Sequence, residues 1–235
     1  MLVDTPSPSY ILEHDPDLDR LSYRIRLADK YDVDDLLQNC LRKLRQLYPS
    51  TLKEWDSLGR DADSSRAITA VNLARFTRTD SVLPSALYGC MRLPESNLIC
   101  GAFHSDGTTD VLGTDDLARC MRAKVMCASV LAAWIVESFC PQNCSSYEAC
   151  GPIWSNLRQD TMLYIRRKGL HGAFLVRLDR IFNPDNPATG PLAHLASTLC
   201  VNCVERISIQ IRQWRAANWW NLPRTLRIEI EGWED

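Results

Sequence analysis

VDDLLQNCLRKLRQLYP, residues 33–49, decides the fold class. Its apolar positions, Val33, Leu36, Leu37, Cys40, Leu41, Leu44 and Leu47, recur at intervals of three and four, the spacing of one helix face. Asp32 stands where a side chain can accept from the first-turn amides. Arg42, Lys43 and Arg45 gather toward the end that the helix dipole makes negative, and Pro49 stops the run.

The same periodicity continues on both sides. A helix from Asp17 precedes, with Leu18, Leu21, Ile25 and Ala28 at core spacing. Downstream, Thr51 and Glu54 have the spacing of a capping box and open a short helix through Trp55 and Leu58. GRDADSS (59–65) reads as a turn, with Ser64 or Ser65 capping a helix across Ile68, Val71 and Phe76. Pro84 opens another, to about Met91. Residues 94–113, punctuated by Gly101, Gly107 and Gly113, read as an irregular loop.

Thr114 then starts a long helix to about Phe139. It is apolar nearly all round from Val125 to Val136 and is therefore expected as the buried centre. A helix from Pro152 to about Arg167 follows, then one helical turn at 173–182 and a last long helix from about Leu192 to Trp214. Leu226, Ile228 and Ile230 alternate as in a lone strand. The expectation is an all-α bundle of about seven or eight antiparallel helices. It divides into a lead-in at 1–16, helices over 17–93, a loop at 94–113 and a C-terminal helical domain at 114–235. No period of about 20–50 residues repeats, which speaks against a solenoid.

Composition narrows the function classes. Of 235 residues, 46% are hydrophobic and 24% charged, the balance of a globular chain that buries a core. A net charge of −2 favours neither nucleic acid nor an anionic membrane. Residues 151–235 carry 11 Lys+Arg against 8 Asp+Glu, a mild basic excess. The opening MLVDTPSPSY has neither the basic nor the apolar region of a signal peptide. The longest uncharged apolar run, VMCASVLAAWIV (125–136), has 12 residues, short of the roughly 20 that span a bilayer. The chain is expected in the cytoplasm or nucleus, with other proteins as partners and no membrane.

Ten cysteines in a reducing compartment are free thiols or metal ligands. Cys200-x-x-Cys203 is a chelating pair, and Cys144-x5-Cys150 lies on a turn between two helices. Two such pairs supply four soft thiolates, the donor set of a structural zinc ion. Cys140 and His194 are alternative donors, and the 49 residues between Cys150 and Cys200 exceed the gap in familiar zinc ribbons. The other reading, core and loop thiols without metal, stays open for this set. Cys40, Cys90, Cys120 and Cys127 each lie among apolar residues on an expected helix and fit the core.

Enzyme signatures are absent: no phosphate-cradling loop, dinucleotide fingerprint, HExxH or nucleophile elbow. The histidines are scattered, and His104, beside Asp106 in the Gly-rich stretch, reads as an exposed loop residue. Near the C-terminus, Trp214, Arg215, Trp219 and Trp220 combine the residue types that anchor interfaces. They serve equally as a cover for the core where the chain ends.

RLADKYDVDDLLQNCLRKLRQLYPSTLKEWD (26–56) resembles the closing helices of the BTB/POZ domain in fungal, basidiomycete-type BTB proteins. LPSALYGC (83–90), GTDDLARCMRAK (113–124) and LCVNC (199–203) resemble the C-terminal helical region of the same proteins. The resemblance spans most of the chain from about Ile11. It implies a protein–protein adaptor, in some members one that recruits a cullin-type ubiquitin ligase, and it brings no catalytic residues. The strands and helices of the BTB dimer interface have no counterpart before Tyr10, so the usual homodimer is not implied. The reading is a non-catalytic adaptor module; its rival is a zinc-braced nuclear module that contacts nucleic acid through the basic C-terminal third.

Overall fold

The computed structural model describes residues 18–58, 65–142, 144–167, 175, 178 and 190–233. The lead-in at 1–16, most of the turn at 59–65 and, apart from Leu175 and Leu178, the helical turn expected at 173–182 lie outside the described residues. The protein is all-α, with eleven α-helices and one two-stranded hairpin among the described residues. The chain divides into two compact units, Met1–Gly113 and Thr114–Asp235.

In the first unit, α1 (Leu18–Lys30) and α2 (Asp34–Leu47) form a helical hairpin. Leu18, Leu21, Ile25 and Ala28 are buried, as their spacing predicts. The α2 stripe is buried only from Cys40 onward: Val33 and Leu36 are 45% and 41% exposed. Asp32 does not cap α2. It takes a left-handed φ of 52° and ends α1, while the Val33 amide closes back onto the Ala28 carbonyl at 2.8 Å. A short polar side chain is tolerated in that conformation, and a tight corner needs one there.

Thr51 accepts from the Glu54 amide at 3.3 Å, so α3 (Leu52–Ser57) has the cap its sequence announces. Ser65 stands before α4 (Arg66–Thr77) without a side-chain cap bond. A 3-10 turn at Asp80–Val82 leads into α5 (Leu83–Arg92). The α4–α5 crossing is close: a Cβ on Gly89 would stand 3.0 Å from that of Ala67. Where an irregular loop is expected, α6 (Glu95–Cys100) and an antiparallel hairpin, β1 (Ala102–Phe103) and β2 (Thr109–Asp110), are found. Gly101 permits the hairpin, because at φ +90° a Cβ would meet the Asp110 carbonyl at 2.3 Å.

The second unit comprises α7 (Thr114–Ser138), α8 (Tyr147–Arg167), α9 (Gly190–Ser197), α10 (Val201–Trp220) and α11 (Leu222–Leu226). α7 is not buried all round. Cys120, Ala123, Cys127, Leu131 and Ile135 face the core, whereas Val125, Met126, Val130 and Val136 are exposed. The helix expected from Leu192 to Trp214 is broken at Thr198–Cys200 into α9 and α10, and α10 runs on to Trp220. No strand forms at 226–230: Leu226 closes α11, buried. α8 begins a turn earlier than Pro152, because the Ser146 carbonyl already accepts from the Ala149 and Cys150 amides.

Candidate metal centre

The break between α9 and α10 builds the site. Ser197 and Thr198 turn their hydroxyls onto the carbonyls of His194 and Leu195, both at 2.7 Å, and so satisfy the end of α9. Cys200 leaves the helical region (φ −67°, ψ 155°) and becomes the N-cap residue of α10, with Cys203 in its first turn. Cys144 lies in the turn before α8, and Cys150 in its first turn. Two helix N-termini therefore converge on four sulfurs.

These sulfurs, of Cys144, Cys150, Cys200 and Cys203, all lie within 4.8 Å of one another. Cys144 and Cys200 are 3.6 Å apart, longer than any disulfide. A tetrahedron with metal–sulfur bonds of about 2.3 Å has edges of about 3.8 Å, so the spacing suits one ion at the centre. Cys150 and Cys203 are buried, Cys144 and Cys200 half-buried. The cluster can hold a metal ion.

The electrostatics are those of an anion site. Helix N-termini carry unpaired amides and partial positive charge, and here two of them face one point. The Cys203 amide pulls the Cys200 thiol down to about 7. Burial pushes the Cys144 thiol up to about 12, and the neighbouring thiols add to it. Four thiolates cannot crowd together uncompensated, so in the absence of a cation protons stay on the group.

A second layer of side chains surrounds the cluster. The Trp154 indole N–H donates to the Cys203 sulfur at 3.4 Å. Arg206 lies over the Trp154 ring, 5.5 Å from its centroid, and donates to the Cys140 carbonyl. Phe139 meets Trp154 edge-on at 5.7 Å, Trp134 meets Phe139 at 6.1 Å, and Trp214 stacks on Trp134 at 4.8 Å. An aromatic chain thus ties the cluster to the core of its unit.

The alternative donors take no part. Cys140 turns its thiol onto the Glu137 carbonyl at 3.0 Å, and His194 is exposed. Cys40, Cys90, Cys120 and Cys127 are all buried, and burial pushes the Cys127 thiol up to about 12. The four residues offered as an interface do not form one exposed face. Arg215 and Trp219 are buried, Trp214 is half-buried in its stack, and only Trp220 is exposed, at 54%. Arg215 donates to the Leu175 carbonyl at 3.0 Å, and Trp219 packs against Trp233 at 5.3 Å.

His104, expected in an exposed loop, is buried in the first unit. Its Nδ1 is 2.8 Å from Asp19 and its Nε2 2.8 Å from Asp110. Each ring nitrogen thus has a carboxyl group within hydrogen-bond distance. Arg66 holds Asp19 through both its oxygens, and Arg26 meets Asp110 at 3.0 Å. The result is a polar chain, Arg66, Asp19, His104, Asp110, Arg26, that fastens the hairpin to α1 and α4. Its partners lie 85 and six positions from His104, and neither is Asp106, the carboxylate that stands beside it in the sequence.

Fold and site together define an all-α protein with a four-cysteine centre. No known protein family, curated protein or solved structure matches the chain. No described helix is long and apolar enough to cross a membrane.

Proposed function

We propose that this is a non-catalytic protein-interaction module of the BTB-adaptor kind, its C-terminal unit braced by one zinc ion on Cys144, Cys150, Cys200 and Cys203. The carrying observation is the grouping of four sulfurs within 4.8 Å at two helix N-termini. Four protein thiolates fill a tetrahedral shell and leave no position for water or substrate, which makes the ion structural. Soft sulfur donors select zinc among the common divalent ions.

The adaptor half of the reading draws on apolar exposure at the corner where α1 hands over to α2. Leu27, Tyr31, Val33 and Leu36 are between 41% and 65% exposed there. Apolar surface of this kind marks interaction sites. Nucleic-acid contact is less favoured, since Arg206 and Arg215 of the basic third are turned inward onto Trp154 and Leu175.

Native mass spectrometry of protein expressed with zinc available tests the centre. One zinc per chain is expected, and Cys203→Ser should remove it together with part of the helicity. A protein that carries no metal, and keeps its helicity when chelator is added, would overturn the reading.

A further inference from the structure

The apolar side of α7 that faces away from its core has a symmetry of its own. Val125, Met126, Ser129, Val130, Ala133 and Val136 are all exposed, with no charge among them. Lys124 lies half-buried on the other side of the helix. At 100° per residue Ser129 and Ala133 fall along the middle of this face, with the larger side chains flanking them. The stripe is closed at one end by exposed Arg122 and at the other by exposed Glu137. These two lie roughly 22 Å apart along the helix, about equally far from its midpoint at 129–130.

A helix face with small residues in the middle, apolar shoulders and opposite charges at its ends complements itself when turned end for end. We propose that α7 is the docking surface for a second copy of this chain, packed antiparallel about a two-fold axis at Ser129–Val130. Arg122 of each copy then lies opposite Glu137 of the other, Met126 opposite Ala133, and Ser129 opposite Val130. A parallel pairing would set Arg122 against Arg122 and Glu137 against Glu137, so the charges select the antiparallel register. Isologous contacts of this kind close on themselves and stop at two. The proposal rests on the interaction-module reading in naming one partner, and it does not depend on the metal.

A single helix pair lies at the small end of specific interfaces, so dissociation on the order of micromolar is expected. Sedimentation velocity of the full, metal-loaded chain over a wide concentration range should show a reversible monomer–dimer equilibrium. Ala133→Asp should leave a monomer, and Arg122→Glu should weaken the dimer about tenfold. The double variant R122E/E137R should restore it. Both single positions are exposed, and circular dichroism and zinc content recorded alongside separate loss of pairing from loss of fold or metal. A chain that stays monomeric throughout, a dimer indifferent to Ala133→Asp, or a charge swap that fails to rescue would each overturn the proposal.

Discussion

The sulfur of Cys203 has two sets of partners, the three other thiols and the Trp154 indole N–H at 3.4 Å. An N–H bond to a thiolate lowers the charge that the metal must balance and holds the ligand's orientation. Trp154→Phe keeps the ring that Phe139 and Arg206 lean on but removes that donor. If the centre holds zinc as proposed, the ion should still bind, about tenfold more weakly by competition with a chromophoric chelator. Unchanged affinity would show that the indole serves packing alone. At Asp110, burial pushes the carboxyl up, and the hydrogen bond from His104, with Arg26 alongside, more than reverses it, leaving it below the ordinary range. A depressed carboxyl contributes stability that is present above its unfolded value, near pH 3.9, and is lost as pH falls through its folded one. Thermal melts recorded down through pH 4 should therefore lose stability more steeply in the wild type than in Asp110→Asn. Parallel curves would remove Asp110 from the acid response.

At the scale of elements, legibility follows the locality of the cause. Helices written by their own periodicity and punctuation, α1, the second half of α2, α3 and α5, stand where the sequence puts them. The capping pair Thr51 and Glu54 worked because all its information lies within four residues. The α9–α10 break is not legible in the sequence because neither Gly nor Pro marks it; the hydroxyls of Ser197 and Thr198, which satisfy carbonyls at the end of α9, are its local trace. The chelating pairs were legible from spacing, but not the fact that both sit at helix starts. His104 reads as exposed in the sequence and is buried in the fold, since partners that bury it come from α1 and α4. Periodicity also misjudged α7, because an apolar residue records a preference for burial and not the presence of a neighbour. At α4–α5 the cause is a missing atom. Gly89→Val would force branched carbons against Ala67 and should cost about 1–3 kcal/mol, read as a lower urea midpoint. Wild-type stability in that variant would mean the crossing can open without loss.

For the molecule as a whole, the division at Gly113–Thr114 puts the two polar constructions in different units: the His104 polar chain in the first, the four cysteines in the second. Their failures should then be separable. On the proposed zinc reading, hydrogen exchange on the zinc-loaded chain, before and after chelation, should show protection lost in α8 and α10 and retained in α1, α4 and α5. Loss of protection in both units together would mean that they unfold as one.

The placement of the four cysteines at the starts of α8 and α10 has a further consequence if they hold the proposed ion, for how the chain comes off the ribosome. Cys144 and Cys150 emerge first and must wait for the 49 residues that separate them from Cys200. Until then two thiols hold at most half a coordination shell, open to water and to any competing ion. The same arrangement ties the chain to itself across that stretch once the ion is in place. A backbone nick between Cys150 and Cys200 would then leave two fragments that travel together as one species, and a chelator would do what reductant does to a disulfide-linked pair.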